Sequence, residues 1–200
     1  MTKGQDTRET ILRSALALAS EVGLEGISIG VLADRTGMSK SGLFAHFASK
    51  ENLQVAVLTE ATALFVQHVV APALKEPRGE PRVRALFERW VAWPTLEFQP
   101  GGCIFAAAGM ELDDRPGPAR DVLVAAQKDW LESLAQAARI AVEEGHFRRD
   151  LDVLQFAFEL FTLVYGAYYV ARLGLDRRAP KRVRTAFENL VLEASAGTRN

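Results

Sequence analysis

The 200-residue sequence predicts an all-α fold in two parts, and three observations predict it. Apolar residues recur at three- and four-residue spacing in segment after segment, while no run alternates with the period of two that a strand requires. Glycine and proline cluster between those segments, at Gly23 and Gly37, in "KEPRGEPR", "QPGG" and "DDRPGP", and at Gly145. Apolar residues make up 48% of the chain, enough for packed cores without disulfides or metal.

The elements follow in order. Ile11, Leu12, Ala15, Leu16, Ala19 and Val22 share one helical face and Gly23 is a fitting C-cap, which predicts a first helix over about 7–22. Ser28 N-caps a short second helix over 29–36, with Leu32 and Ala33 turned inward and Gly37 as its stop. Ser39 caps a third over 40–46. Ser49, ahead of Lys-Glu-Asn-Leu and a long periodic run, opens a fourth that reaches residue 70, where Pro72 ends it. Further helices are expected at about 83–98, 104–112, 119–144, 151–173 and 180–196, about nine in all. The charged "KEPRGEPR" reads as a connector, and the expected division is a helix-turn-helix domain at 1–55 and a larger helical domain at 56–200.

Composition excludes several classes of function. Lysine and arginine number 24 against 25 acids, so the whole molecule has no attraction for polyanions and a nucleic-acid site must be a local patch. Cys103 has no partner for a disulfide, and three scattered histidines form no metal-ligand spacing, so neither metal nor cofactor is expected. The first ten residues lack the basic start and apolar run of an export signal, and a cytoplasmic protein is the expectation. Residues 153–171 are long enough to span a bilayer, yet Gln155, Glu159 and Thr162 lie among them. A buried helix of a soluble protein, with no membrane partner, is the expectation.

Two short helices joined by Gly37-Met38-Ser39 match the helix-turn-helix arrangement, whose second helix enters the DNA major groove. Leu32, Ala33, Met38, Leu43 and Phe47 are spaced to hold the pair together, leaving Lys40, Ser41, Gly42 and Ala45 outside. Short side chains let a backbone approach the groove, and hydroxyls and lysine reach base edges. Residues 36–50 contain two lysines, one histidine and no acid, although residues 1–55 balance six acids with six bases. Positive charge is concentrated where a duplex would lie.

The stretch "SIGVLADRTGMSKSGLFAHFASKENL" closely resembles the DNA-binding signature of the TetR (tetracycline-repressor-like) family of transcriptional regulators, over about 8–57. Leu32-Ala33, Gly37, Ser39-Lys40, Leu43, Phe47 and Lys50 with Leu53 fall where that family's pattern has them. The resemblance implies that Ser28 touches a phosphate and that Lys40, Ser41 and Gly42 face the bases, with Ser39, Phe44 and Ala45 counted in the same DNA-binding set. It also implies that His46 and Lys50 reach the phosphate backbone. Phe44 stands where the family usually has tyrosine, so apolar contact replaces a phosphate hydrogen bond, and Gly30 stands where a longer residue often contributes.

In the second part, Phe158, Phe161, Tyr165 and Tyr168 form one of two apolar stripes on the same helix, and Phe187, Leu190, Val191 and Ala194 recur on the last helix. A helix apolar on nearly all sides needs cover on all sides, so these eight residues are expected at a homodimer interface built as a four-helix bundle, as the resemblance also implies. A two-fold dimer predicts a palindromic operator in double-stranded DNA. Trp90, Trp93, Phe98, Phe105, Met110 and Trp130 cluster in the middle of the chain and read either as a cavity for a small, largely apolar effector or as filled core. The resemblance favours the cavity. The expected function is therefore a DNA-binding regulator, by analogy a repressor released by its ligand. An enzyme is the rival, through Glu143 and His146 of "EEGH", but the further inward carboxylates of a metal-binding bundle are missing. An adaptor that has lost affinity for DNA is the other.

Overall fold

The computed structural model describes residues 3–197, with side chains described from Thr7 onward. The described residues are helical throughout, apart from turns and one isolated bridge between Phe147 and Ser195. In order they form α1 (Lys3–Val22), α2 (Ile29–Thr36), α3 (Lys40–Phe47), α4 (Lys50–Phe65), a π-turn (Val66–Val70) and α5 (Ala71–Ala73). Then come α6 (Glu80–Ala92), a 3-10 turn (Trp93–Thr95), α7 (Ile104–Leu112), α8 (Pro118–Glu143), α9 (Val153–Arg172) and α10 (Ala179–Ala194).

Two boundaries differ from the sequence expectation, both at prolines. Pro72 does not end the fourth helix. It lacks an N–H and its ring clashes with the carbonyl four residues back, at His68, and the chain meets this by widening into the π-turn, after which α5 completes a rod over Lys50–Ala73. With that rod counted once, the described residues hold nine helices. Conversely α6 stops at Ala92, because Pro94 cannot continue the ladder and the chain tightens into the 3-10 turn. The expected extension to residue 98 is not helical.

The chain packs as two compact units, one made of residues up to Phe65 with Pro94–Ala126, the other of Val66–Trp93 with Gln127 onward. In the first, Ile11, Ala15, Leu16 and Ala19 of α1 are buried with Leu32 of α2, Leu43 and Phe47 of α3, Leu53, Val57 and Ala61 of α4, and Ile104 and Ala108 of α7. The Gly101 N–H donates to Ser20 Oγ at 2.9 Å, and a Cβ at Gly101 would lie 1.8 Å from the Ser20 carbonyl oxygen, so only glycine fits against the end of α1. In the second unit α9 and α10 form an antiparallel hairpin packed on α6. Phe87 and Phe187 stack there at 3.8 Å between centroids, and Phe147 meets Phe156 at 5.3 Å.

Two rods, Lys50–Ala73 and Val153–Arg172, are long and apolar enough to cross a membrane by length and composition. The first contributes buried residues to each unit in turn, Leu53, Val57, Leu58 and Ala61 to one and Val69 and Ala73 to the other. The second exposes Gln155, Glu159 and Thr162, with Gln155 donating to Glu159 at 2.7 Å.

Candidate nucleic-acid interface

Local chemistry shapes the α2–turn–α3 segment. Ser28 is extended (φ −146°, ψ 161°) and its Oγ accepts the Val31 N–H at 3.2 Å, which starts α2. Gly37, at φ 67°, ends α2 in the left-handed conformation that only glycine adopts without steric cost. Ser39 Oγ then accepts the Gly42 N–H at 3.1 Å and starts α3, with Ser41 Oγ 3.2 Å away. Ala48 closes α3 at φ 60°, the one positive φ outside glycine among the described residues, with its N–H on the Phe44 carbonyl at 2.8 Å. Strain of this kind persists only where the surroundings hold it, and here the buried neighbour Phe47 does so.

α3 is thereby two-sided. Leu43 and Phe47 are buried against the unit, whereas Lys40, Ser41, Phe44 and Ala45 are exposed and Gly42 and His46 half-buried. A Cβ at Gly30 would lie 3.6 Å from Lys40 Cε and 3.8 Å from both Lys40 Nζ and Ser28 Oγ, so the bare backbone of α2 brings that ammonium and that hydroxyl to one spot. This is a suitable seat for a phosphate. The Arg8 guanidinium sits 5.7 Å above the Phe47 ring, adding a cation from α1 that sequence spacing did not single out.

Lys50, expected at the phosphate backbone, is engaged within its own unit. Its Nζ donates to the Glu25 carbonyl at 2.7 Å and lies 3.2 Å from Glu25 Oε2. Gln54 Nε2 donates to Glu25 Oε1 at 3.0 Å and to the Leu24 carbonyl at 2.9 Å, and Arg115 approaches Glu25 to 3.8 Å. The hydrogen bonds from Gln54 and then Lys50 hold the Glu25 carboxyl below the usual carboxylate range. From α7, Glu111 Oε2 accepts the Glu25 N–H at 2.9 Å. Glu25 is therefore a junction of the α1–α2 turn, α4 and α7, a role that no local sequence pattern marks.

The six aromatic and thioether residues expected in one cavity are divided. Trp90 and Trp130 do meet, edge to face at 5.1 Å, but their further neighbours are Phe161 at 5.7 Å from Trp90 and Tyr165 at 6.0 Å. Trp93 is fully buried in the same unit. Phe98, Phe105 and Met110 belong to the other unit, where Phe105 packs on Phe65 at 5.8 Å and Met110 is 76% exposed. Met110 therefore lines no enclosed space. An open groove of about 350 Å³ lies elsewhere in the second unit, walled by Val70, Leu74, Leu86, Ala137 and Ile140, with Arg82, Glu132 and Gln136 at its polar edge.

The eight residues expected at a dimer interface divide likewise. Phe187, Val191 and Ala194 are at most 2% exposed, Phe187 being stacked on Phe87, so they are core of their own protomer and reach no partner. Phe161 stacks on Tyr165 at 4.6 Å, and Tyr165 donates to Gln127 Oε1 at 2.9 Å, which turns both toward Trp90. Tyr168 and Leu190 are half-buried. Phe158 alone of the eight stands out, and α9 exposes Leu154, Tyr169 and Leu173 with it. Among the described residues no group of three His, Cys, Asp or Glu is placed to hold a metal.

Comparison with known proteins agrees with this geometry. Residues 11–57 match the family profile of bacterial regulatory proteins of the tetR family, and residues 79–187 match that of the tetracyclin repressor-like C-terminal domain. The chain is 35% identical over 74 residues to the HTH-type transcriptional repressor AcnR of Corynebacterium glutamicum, a stretch covering 37% of this chain and 39% of that protein. It is 41% identical over 46 residues to the class C tetracycline repressor protein of Escherichia coli, which covers 23% of this chain and 21% of that one. The chain thus matches well under half the length of either curated relative. A TetR transcriptional regulator from Chloroflexus aurantiacus J-10-FL superposes with a TM-score of 0.88 over 98% of both chains at 23% identity, which shows a shared fold.

Proposed function

Because the chain belongs to the TetR family of bacterial regulatory proteins, whose members are DNA-binding regulators and not enzymes, we propose that it is a cytoplasmic transcriptional repressor acting as a homodimer on a palindromic operator. Residues 1–55 are its DNA-binding part and 56–200 its effector-binding and dimerisation part. One observation carries this reading. α3 buries Leu43 and Phe47 and turns outward a face of Lys40, Ser41, Gly42 and Ala45, short or cationic residues around the exposed Phe44 ring. Ser28, Ser39 and His46 flank that face, and Lys50 joins it once released from Glu25.

The groove beside Leu74, Leu86 and Ile140 is the effector site in this reading, for a small, largely apolar molecule whose polar end meets Arg82 or Glu132. Effector binding favours a state in which the two α3 helices no longer match successive major grooves, by the difference in its affinity for the two states. The test is a gel shift with the DNA flanking its own gene, run beside Lys40→Ala. Specific retention that Lys40→Ala weakens is the expected result, and indifference to every duplex at low ionic strength would sink the reading.

A further inference from the structure

The groove of the second unit combines an apolar wall with an uneven set of charges. Val70, Leu74 and Leu86 line it together with Ala137 and Ile140, around a space of about 350 Å³. Val70 closes the π-turn that precedes Pro72, so this wall departs from regular helix at the groove itself, and π-turns of this kind are frequent at functional sites. The polar side chains of the lining are Arg82 from α6 and Glu132, Ser133 and Gln136 from α8.

Their hydrogen bonds within the protein decide what each can still offer. Arg82 is half-buried, and its Nε donates to the Glu76 carbonyl at 2.9 Å, which fixes the guanidinium and leaves both Nη nitrogens open. Among the described residues no carboxylate pairs with it: Glu80 is taken by Arg84, and Glu143 and Glu144 by Arg78. Ser133 gives its hydroxyl hydrogen to the Asp129 carbonyl at 2.7 Å. Gln136 Oε1 accepts from Arg139, so its amide nitrogen is the end left to donate. The Glu132 side chain is 67% exposed with Arg139 at 4.0 Å, so solvent and that cation both screen its charge. What remains open is therefore cationic and donating. A cation set in an apolar wall without a counter-charge is unfavourable for the protein alone, and a ligand that brings the charge removes the cost.

We propose that the groove takes a small monocarboxylic acid with an apolar body, its carboxylate on the Arg82 guanidinium beside the Gln136 amide and its body along Val70, Leu74, Leu86 and Ile140. This rests on the reading of the groove as the effector site and decides which of its two charged residues receives the polar end. A guanidinium presents parallel N–H groups that match both oxygens of a carboxylate. One guanidinium balances one negative charge, and the lining holds no second cation for the dianion of a phosphate. An amine meets repulsion at the same place. The α8 lining runs from Glu132 to Ile140, about 12 Å at the helical rise, which suits a medium-length alkyl or aryl-alkyl acid better than acetate.

Calorimetric titration of the full chain with octanoate, octan-1-ol and octylamine at neutral pH tests this, since the three share a tail and differ in the charge of the head. Octanoate should bind about tenfold more tightly than octanol, as hydrogen bonds to a charged group allow, and octylamine should bind most weakly. Arg82→Leu should weaken octanoate about tenfold and leave octanol unchanged, and Arg82→Lys should recover part of the loss. Gln136→Glu should erase the preference by giving the guanidinium a carboxylate of its own. Far-UV circular dichroism checks that each variant is folded. Octanoate that binds no better than octanol, that is undiminished by Arg82→Leu, or that does not bind at all would overturn the proposal. The effector reading is judged separately, on the native protein–operator complex. Octanoate that binds through Arg82 yet leaves the complex intact overturns that reading and not this one, whereas release by another molecule, with octanoate failing to bind, overturns this one and not that.

Discussion

Phe44 on α3 and Phe158 on α9 are exposed to the same degree, 57% each, and the comparison between them separates the two faces of the protein. Around Phe44 lie Lys40, Ser41, Gly42 and Ala45, short or cationic groups that leave a ring standing on a hydrophilic surface. Leu154 lies one turn from Phe158, and the exposed Tyr169 and Leu173 carry apolar surface further along toward the end of α9. An isolated exposed ring beside a lysine suits a groove lined with phosphate and sugar, whereas a continuous apolar strip suits another protein surface. Exposure alone says nothing of the partner; the neighbours decide it.

The largest expected effect breaks the first face from beneath. Phe47 is buried under α3 and carries Arg8 over its ring, so Phe47→Ala should destabilise the first unit by about 3–5 kcal/mol. Urea unfolding followed by circular dichroism should show it, with duplex binding lost in parallel. A variant of native stability would mean that α3 is not held by this contact. Next in size, Phe158→Ala should weaken self-association by about 2 kcal/mol while leaving protomer stability nearly unchanged, since its ring is mostly in solvent. Sedimentation equilibrium measures the first quantity and thermal unfolding of the dilute protomer the second.

These two phenylalanines also mark how far the sequence could be read. α2 spans Ile29–Thr36 as expected because its signals, the Ser28 cap and the Gly37 stop, are local and act within a few residues. The fate of Pro72 was not legible in the same way, since a proline can end a helix or be absorbed by a widened turn, and the packing of Val69 and Ala73 on either side chooses the second. On α9 and α10 the periodicity picked out apolar rows, although Phe156, buried on α9, lay outside them. It could not say whether each row meets its own chain or another copy, and for Phe187, Val191 and Ala194 the answer is their own chain. The aromatic cluster failed for a related reason: Trp90 finds Phe161 and Tyr165, far along the sequence, in preference to Phe98 and Phe105, which are near it. The Glu25 junction needs α7 to come back against α1, which no local pattern encodes.

Smaller effects sharpen the DNA face. Phe44→Tyr restores a hydroxyl at the exposed ring and should strengthen operator binding by about 0.5–1.5 kcal/mol, the usual net value of one hydrogen bond, without affecting protomer association. Fluorescence anisotropy with a labelled operator measures it, and an unchanged or weaker Kd would place Phe44 away from phosphate. Glu25→Gln acts from behind the face. The Glu25 carboxyl is held below its ordinary value by Gln54 and Lys50, so its contribution to stability is present above that ordinary value and lost as pH falls through the lowered one. The variant should lose that part of the native chain's acid dependence, seen as a flatter fall in melting temperature below pH 5. It should also bind duplex a few-fold more tightly, because Lys50 keeps its hold on the Glu25 carbonyl but loses the carboxylate that competes with phosphate.

The smallest expected change in stability is at Gly42, where two terms of similar size oppose each other. Replacing glycine by alanine inside α3 gains about 1 kcal/mol of helix propensity. The added Cβ, however, would sit 3.1 Å from Ser39 Oγ, closer than an ordinary contact, and Ser39 Oγ is the acceptor that caps α3 through the Gly42 N–H. Loss of such a cap costs about 1 kcal/mol, so Gly42→Ala should change protomer stability by no more than about 0.5 kcal/mol in either direction. Duplex affinity has no such compensation. A methyl group on the outer face of α3 holds the backbone off the bases by its own radius, so the variant should bind DNA more weakly at unchanged stability. A variant that gained stability and kept its affinity would show that Gly42 is merely a weak helix residue and that the close approach occurs elsewhere on α3.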